Sequence, residues 1–180
     1  MPGPLRVRYS TINRIVSDLL TEHDIRCPMV PIDEIARSRG IEVHKRDLND
    51  ELAGFLLRKG SRMIIGVNSS HSHSRQRFTI AHELGHALLH EGRELHVDEG
   101  FRINLRSPES STAKNIEEVE ANTFAAALLM PLGMLRRQIA SSEIDIEDDV
   151  HLGRLADEYG VSRAAMSYRL LNLASHIRAA

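Results

Sequence analysis

Residues 78–90 read Phe-Thr-Ile-Ala-His-Glu-Leu-Gly-His-Ala-Leu-Leu-His and contain an H-E-x-x-H motif. On an α-helix, residues four apart lie on one face, about 6 Å apart along the axis. The imidazoles of His82 and His86 can therefore bind the same Zn²⁺. Glu83 is placed to reach a water on that metal without binding the metal itself. The motif predicts a zinc-binding helix over about residues 74–90, with one Zn²⁺ per chain.

A catalytic zinc site takes three protein ligands and keeps one position open. A histidine six residues after the second motif histidine is excluded as the third ligand, because that position is Gly92. A glutamate on a later helix is the alternative. Such a helix is predicted over about residues 115–130, ended by Pro131. Its candidate carboxylates are Glu117, Glu118 and Glu120.

Glu118 is the preferred third ligand among these carboxylates. It lies one turn before Asn122 on a stripe of small and apolar residues, so both side chains are expected to face inward. Asn122 is expected to hold a zinc-ligating histidine through the other ring nitrogen. Glu120 lies about 160° from Asn122 around the helix, and Glu117 adjoins the helix start. Both are predicted to be solvated, and Glu120 is kept as the alternative ligand.

Two further histidines receive no role in the metal site. His90 continues the stripe of the motif histidines, but it lies about 12 Å from His82 along the axis, too far to share a tetrahedral ion. It is predicted to interact with the helix dipole at the C-terminal end. His96 falls within residues 91–114, which are predicted to form a long mobile loop.

The rest of the pattern predicts a mainly helical α+β protein. Residues 10–22 have apolar positions at helical spacing, and a short second helix is expected between Pro31 and Gly40. Three β-leaning runs then predict a small antiparallel sheet. These runs are residues 41–44, 53–57 and 63–67.

The C-terminal residues 151–180 predict a helix-turn-helix-like hairpin, with a turn at Gly160 and Ser162 as the N-cap of the second helix. They contain four arginines and two acids, a net charge of +2. That is little positive charge for a DNA-binding element. A hairpin packed on the core is therefore favoured over direct DNA binding. The expected division is a catalytic domain over residues 1–140 and the hairpin over 141–180.

Composition is that of an ordinary soluble globular protein, since the 180 residues are 42% hydrophobic and 27% charged. The net charge of −2 argues against a general polyanion binder. No apolar run is long enough to span a membrane, so no membrane partner is expected. The single cysteine, Cys27, predicts a reducing, cytoplasmic location.

Three stretches of the chain resemble the ImmA/IrrE family of bacterial and phage metallopeptidases, and the resemblance spans roughly residues 10–175. These stretches are residues 64–68, 75–90 and 118–131. The resemblance implies a zincin-like fold in which His82, His86 and Glu118, the first residue of an E-x-x-A-N motif, bind zinc. Glu83 would be the general base.

The resemblance also implies a substrate class, a helix-turn-helix transcriptional repressor that is cut once to release prophage, mobile-element or stress-response genes. The length is closer to that of the short, ImmA-like members. The alternative function is a regulatory DNA- or protein-binding module whose metal site is structural or vestigial.

Two surfaces are expected to bind the substrate. A peptide can be held by adding it as a strand to a sheet edge, and the run 63–68 with Ile65 and Val67 is the candidate edge strand. The sequence is equally consistent with a buried interior strand for that run. The helical pair 151–175, with Arg163 and Arg169 expected to be exposed, is the candidate docking platform for the repressor.

Overall fold

The computed structural model describes residues 6–49, 51–91, 94–98, 113–141 and 148–178. Within these ranges the chain forms seven helices and four strands. The helices are α1 (Tyr9–Glu22), α2 (Ile32–Ser38), α3 (His73–Leu89), α4 (Ala113–Leu129), α5 (Leu132–Ser141), α6 (Asp149–Tyr159) and α7 (Arg163–Arg178). The strands are β1 (Ile41–Arg46), β2 (Gly54–Lys59), β3 (Arg62–Asn68) and β4 (Leu95–Asp98).

The mainly helical α+β class is confirmed, and most helices lie close to their predicted bounds. Gly160 ends α6 with a φ of +63°, the left-handed backbone conformation that favours glycine at this position. The helix α5 was not predicted. It starts directly after Pro131, which the sequence pattern indicated only as the end of the preceding helix.

The sheet is mixed, so the prediction of an antiparallel sheet is wrong in part. The strand order is β1-β3-β2-β4, with β1 parallel to β3 and the other pairs antiparallel. The connection from β1 to β2 is held by the buried amide of Asn68, which donates to the carbonyl oxygens of Leu48, Asn49 and Leu52. Alternation of apolar residues sets the faces of a strand but not its neighbours, so the pattern could not give this order.

The central position of β3 contradicts the edge-strand prediction for Ile65 and Val67. β3 pairs with β1 on one side and with β2 on the other, where Ile65 lies opposite Val43 and Leu56. Both Ile65 and Val67 are fully buried. The run is therefore the interior strand of the alternative interpretation, and neither side chain is accessible to a substrate.

The edge of the sheet beside α3 is formed by β4. Its residues fall within 91–114, which were expected to form a loop, but they pair with β2 in an antiparallel ladder. Among the described residues no strand pairs with the outer side of β4. Residues 99–112 of the expected loop lie outside the described residues.

One hydrophobic cluster joins the helices to the sheet. It includes Ile12 of α1, Leu84 of α3 and Phe124 of α4, and α6 and α7 contribute Tyr159 and Met166 to the same cluster. The division after residue 140 stays a prediction. None of the described helices combines the length and the apolar character needed to cross a bilayer.

Arg169 is half-buried, so the prediction that it is exposed is wrong. Its Nε donates to the carbonyl oxygen of Met130 at 3.2 Å, and burial lowers the pKa of the guanidinium. The side chain thus ties α7 to the end of α4. Arg163 is exposed, as expected.

Glutamate substitutions at these two arginines are expected to differ in their effect on stability. Arg169→Glu places a carboxylate against a carbonyl that has lost its donor, and should lower the free energy of unfolding by about 1–3 kcal/mol. Arg163→Glu should change it by about 0.5 kcal/mol or less, because the side chain is exposed. Urea unfolding of both variants measures the difference, and equal midpoints would contradict the structural role of Arg169.

Candidate metal centre

Two histidines and a glutamate of α3 are buried side by side. α3 begins at the N-cap Ser72, whose side chain accepts from the Arg75 N–H. The Nε2 atoms of His82 and His86 lie 3.1 Å apart. Since the histidines are one turn apart and both are buried, their ring nitrogens face one shared position.

Helix α4 packs closely on α3 at Gly85, within the motif. A Cβ at Gly85 would lie 3.1 Å from the Cα of Ala121 and 3.1 Å from the ring of Phe124. The absence of a side chain therefore allows the two helix backbones to approach. This contact determines which face of α4 lies against the histidines.

The face of α4 beside the histidines carries Glu118. Its Oε2 lies 3.5 Å from the Nε2 of His82 and 3.7 Å from the Nε2 of His86. In the part of the chain that the structure describes, these three residues are the group that could hold a metal ion, with ligand atoms all within 4.8 Å of one another. The structure thus brings together two imidazoles and a carboxylate from two helices.

The remaining ring nitrogen of each histidine also has a contact. The Nδ1 of His82 lies 2.8 Å from the Oδ1 of Asn122, the side chain that follows Glu118 by one turn. The Nδ1 of His86 lies 3.1 Å from the Nδ1 of His90. Contacts of this kind fix the orientation and the tautomer of a metal-ligating imidazole.

Glu120 and His90 are buried together, so the prediction of a solvated Glu120 is wrong. The Nε2 of His90 donates to Glu120 Oε2 at 3.0 Å, and Arg8 donates to both carboxylate oxygens. Burial alone would raise the pKa of Glu120, but the contacts with Arg8 and His90 lower it to about 2. Because α4 packs against both α3 and α1, opposite faces of the helix are buried. Glu120 lies outside the ligand group.

Glu83 is fully buried beside the ligand group. Its side chain is 0% exposed, and neither oxygen accepts a hydrogen bond from a described residue. The Nδ1 of His96 lies 3.3 Å from its Oε2. Buried carboxylates are normally hydrogen-bonded, because their desolvation is costly. The surroundings of Glu83 therefore suit a further polar or cationic group.

His96 was assigned no role from the sequence, yet it lies at the site. It extends from β4 so that its Nε2 is 3.1 Å from Glu118 Oε1. The carboxylates of Glu118 and Glu83 raise the pKa of His96 to about 9. Burial alone would raise the pKa of Glu118, but contacts with all three histidines hold it well below its usual range. The alternation Leu95-His96-Val97 is the strand signal that could have indicated a separate face for His96.

Comparisons with known proteins give a family and a fold. Residues 36–171 match the family model Peptidase_M78, described as the IrrE N-terminal-like domain. A protein of Bacillus phage phi105, described as uncharacterized immunity region protein 2, is 30% identical over 142 residues, which are 78% of this chain and 80% of that protein. This chain is also similar to a solved structure described as a Mycobacterium tuberculosis transcriptional regulator, with a TM-score of 0.63 and 20% sequence identity. This similarity shows that the two chains share a fold. The match covers 89% of this chain but only 46% of the regulator.

Proposed function

Because this chain belongs to the family of the IrrE N-terminal-like domain, Peptidase_M78, we propose that it is a zinc-dependent endopeptidase that cuts a helix-turn-helix transcriptional repressor. The family is of metallopeptidase type, and the phage relative is described as an immunity region protein. The observation that carries the proposal is the convergence of His82, His86 and Glu118 beside the buried Glu83. Cleavage would release the genes that the repressor silences, in a prophage, a mobile element or a stress response.

The ligand group fits one Zn²⁺ per chain. Two imidazoles and a carboxylate form the ligand set of many catalytic zinc sites, which keep one position open. The Nε2 atoms of His82 and His86 face each other with their Nδ1 atoms engaged elsewhere, which leaves the Nε2 atoms for the metal. Zn²⁺, when bound, supplies Lewis acidity that polarises a carbonyl group and makes water more acidic.

Glu83 is the proposed general base. Its carboxylate takes a proton from the attacking water and gives it to the amine nitrogen as the peptide C–N bond breaks. His96, which contacts both Glu83 and Glu118, orients the two carboxylates. A purely structural or vestigial metal site gains nothing from a fully buried carboxylate that is not itself a ligand. The position of Glu83 therefore supports the peptidase over a DNA- or protein-binding module.

The backbone of β4 is suited to hold an extended substrate. The Arg58 N–H donates to the Glu94 carbonyl oxygen at 2.7 Å, and hydrogen-bonded pairs alternate along an antiparallel ladder. His96 is thus bonded to β2, whereas the N–H groups of Leu95 and Val97 point to the outer side of β4. A substrate strand added there would lie beside His96 and the ligand group.

Proline at Val97 is expected to reduce cleavage more than stability. Val97→Pro removes an N–H that makes no bond to β2, and proline is tolerated on edge strands. Cleavage should fall about fivefold to tenfold, because one net hydrogen bond is worth about 1 kcal/mol. Paired measurements of cleavage rate and of urea unfolding check this.

Ile65→Pro is the matched control for the edge position. It removes a donor from the interior strand β3, so stability and cleavage should be lost together. If Val97→Pro keeps full cleavage, the substrate does not use the outer side of β4 in this way. If it destabilises the protein as strongly as Ile65→Pro, the N–H of Val97 points into the sheet.

The pair α6–α7 is the proposed docking surface for the repressor. Its exposed side chains include Arg163, Tyr168 and Leu171, a mixture of charged and apolar groups that suits a protein partner. Direct DNA binding stays the less favoured alternative. Arg169 is removed from this surface, because its guanidinium is bonded to the end of α4.

Cleavage of a helix-turn-helix repressor encoded in the same genome is the direct test. The purified, zinc-loaded protein should convert that repressor into two fragments, which mass spectrometry identifies as products of one cut. A chelator-treated sample should leave the repressor intact, and an unrelated folded protein should not be cut. An intact repressor in the zinc-loaded sample would reject this substrate, and cleavage after zinc removal would reject the metal.

A further inference from the structure

A chain of polar contacts leads from His86 to the N-terminal part of the protein. The Nδ1 of His86 lies 3.1 Å from His90 Nδ1, and His90 Nε2 lies 3.0 Å from Glu120 Oε2. The Nη2 of Arg8 donates to the same carboxylate oxygen at 2.6 Å. We propose that Arg8, Glu120 and His90 are positioning residues that keep the proton of His86 on Nδ1 and leave its Nε2 free for the metal. These four residues are called the polar relay below.

One assignment of protons satisfies every contact of the polar relay with neutral imidazoles. An ionised carboxylate only accepts, so His90 donates to Glu120 from Nε2. A neutral imidazole with its proton on Nε2 has a lone pair on Nδ1, so His90 accepts from His86 Nδ1. His86 then carries its lone pair on Nε2, which faces His82 and Glu118.

The polar relay is held by its surroundings. The side chains of His90 and Glu120 are 3% and 1% exposed, whereas Arg8 is 49% exposed. The backbone N–H of Arg8 also donates to Glu120 Oε1 at 2.7 Å. Rotating the His90 ring would break both of its contacts and leave the buried His86 Nδ1 without its partner, while Glu120 Oε2 would keep only the Arg8 donor. The contacts therefore hold His90 in one orientation.

Two arginines fix the backbone that carries the polar relay. Arg8 Nη2 donates to the Leu89 carbonyl oxygen at 3.0 Å, and Arg58 Nη2 donates to the His86 carbonyl oxygen at 2.8 Å. The Leu89 carbonyl is one of the last groups of α3, which lack a donor within the helix, and the His86 carbonyl also accepts from the His90 N–H at 3.3 Å, so these contacts hold the end of α3. The C-terminal end of the metal-binding helix is thus fixed next to Glu120.

Glu120→Gln tests the polar relay. Arg8 and His90 donate to both carboxylate oxygens, whereas an amide offers one oxygen and turns its NH₂ group towards a donor. Competition with a chromophoric chelator measures zinc affinity, which should fall about tenfold to a hundredfold. Glu34→Gln removes the same charge from an exposed position of α2, outside the polar relay. It should leave zinc affinity unchanged.

The tautomers of the His86 and His90 rings can be measured in the wild-type chain, so this test does not depend on the stability of a variant. In the full wild-type chain, ¹⁵N NMR should find the proton of His90 on Nε2 and the proton of His86 on Nδ1. A His90 proton on Nδ1, or unchanged zinc affinity in Glu120→Gln, would overturn the inference. If Glu120→Gln does not fold, the wild-type spectrum decides alone.

The inference rests on the proposed metal site but not on peptidase activity. The tautomers can be measured in metal-free protein and in zinc-loaded protein. A wild-type chain that binds no zinc would therefore reject the proposed function. Zinc binding with the opposite tautomers would reject the polar relay alone.

Discussion

Replacing Glu83 with glutamine is expected to reduce repressor cleavage by about 10²–10⁴-fold, the range typical of a lost general base. Zinc should stay bound, because Glu83 is not among the proposed ligands His82, His86 and Glu118. The metal-free variant should be close to the wild type in stability, because the substitution removes a costly buried charge but also the 3.3 Å ion pair between Glu83 and His96. Metal analysis, cleavage rate and urea unfolding test the three parts of this expectation.

The matched control for Glu83→Gln is Glu91→Gln, which removes an exposed carboxylate just beyond the end of α3. This control should keep both zinc and cleavage. If Glu83→Gln keeps full cleavage, the carboxylate is not the base. If it instead loses zinc, Glu83 belongs to the ligand set.

Replacing either His82 or His86 with alanine is expected to abolish stoichiometric zinc binding and, with it, cleavage. Zinc binds the folded state, so a hundredfold excess over its Kd stabilises the wild type by about 2.7 kcal/mol. Neither alanine variant should gain this stabilisation when zinc is added. Thermal unfolding with and without zinc, together with metal analysis, measures both effects.

His73→Ala is the matched control for the ligand substitutions, because His73 is an exposed histidine at the start of the same helix. It should bind one zinc and show the full thermal shift. Stoichiometric zinc in His86→Ala would count against the proposed ligand set.

The parts of the fold that depend on local spacing could be predicted from the sequence. His82, Glu83 and His86 lie together because a helix repeats every 3.6 residues. The same periodicity puts Glu118 and Asn122 on one face of α4, and the structure places that face against α3.

The parts that depend on tertiary neighbours could not be predicted in this way. Glu120 lies on the opposite face of α4, but α1 and Arg8 cover that face. The sequence predicts that Arg169 is solvated, because nothing in it shows that the carbonyl group of Met130 lies beside this side chain. The run 63–68 would show the same alternation of side chains in an edge strand as in an interior strand, so the sequence pattern could not predict which strands pair with it.

The close approach at Gly85 makes the two variable positions of the H-E-x-x-H motif unequal in their tolerance of substitution. Leu84 faces the core, where another apolar residue of similar volume can be accommodated by repacking. At Gly85, even one methyl group would press on the Ala121 backbone. Relieving this contact needs a shift of a few tenths of an ångström between α3 and α4, which would change the spacing between Glu118 and the histidines. A library that varies both positions should therefore recover a range of apolar residues at 84 and mainly glycine at 85, although residue 85 takes no part in the chemistry.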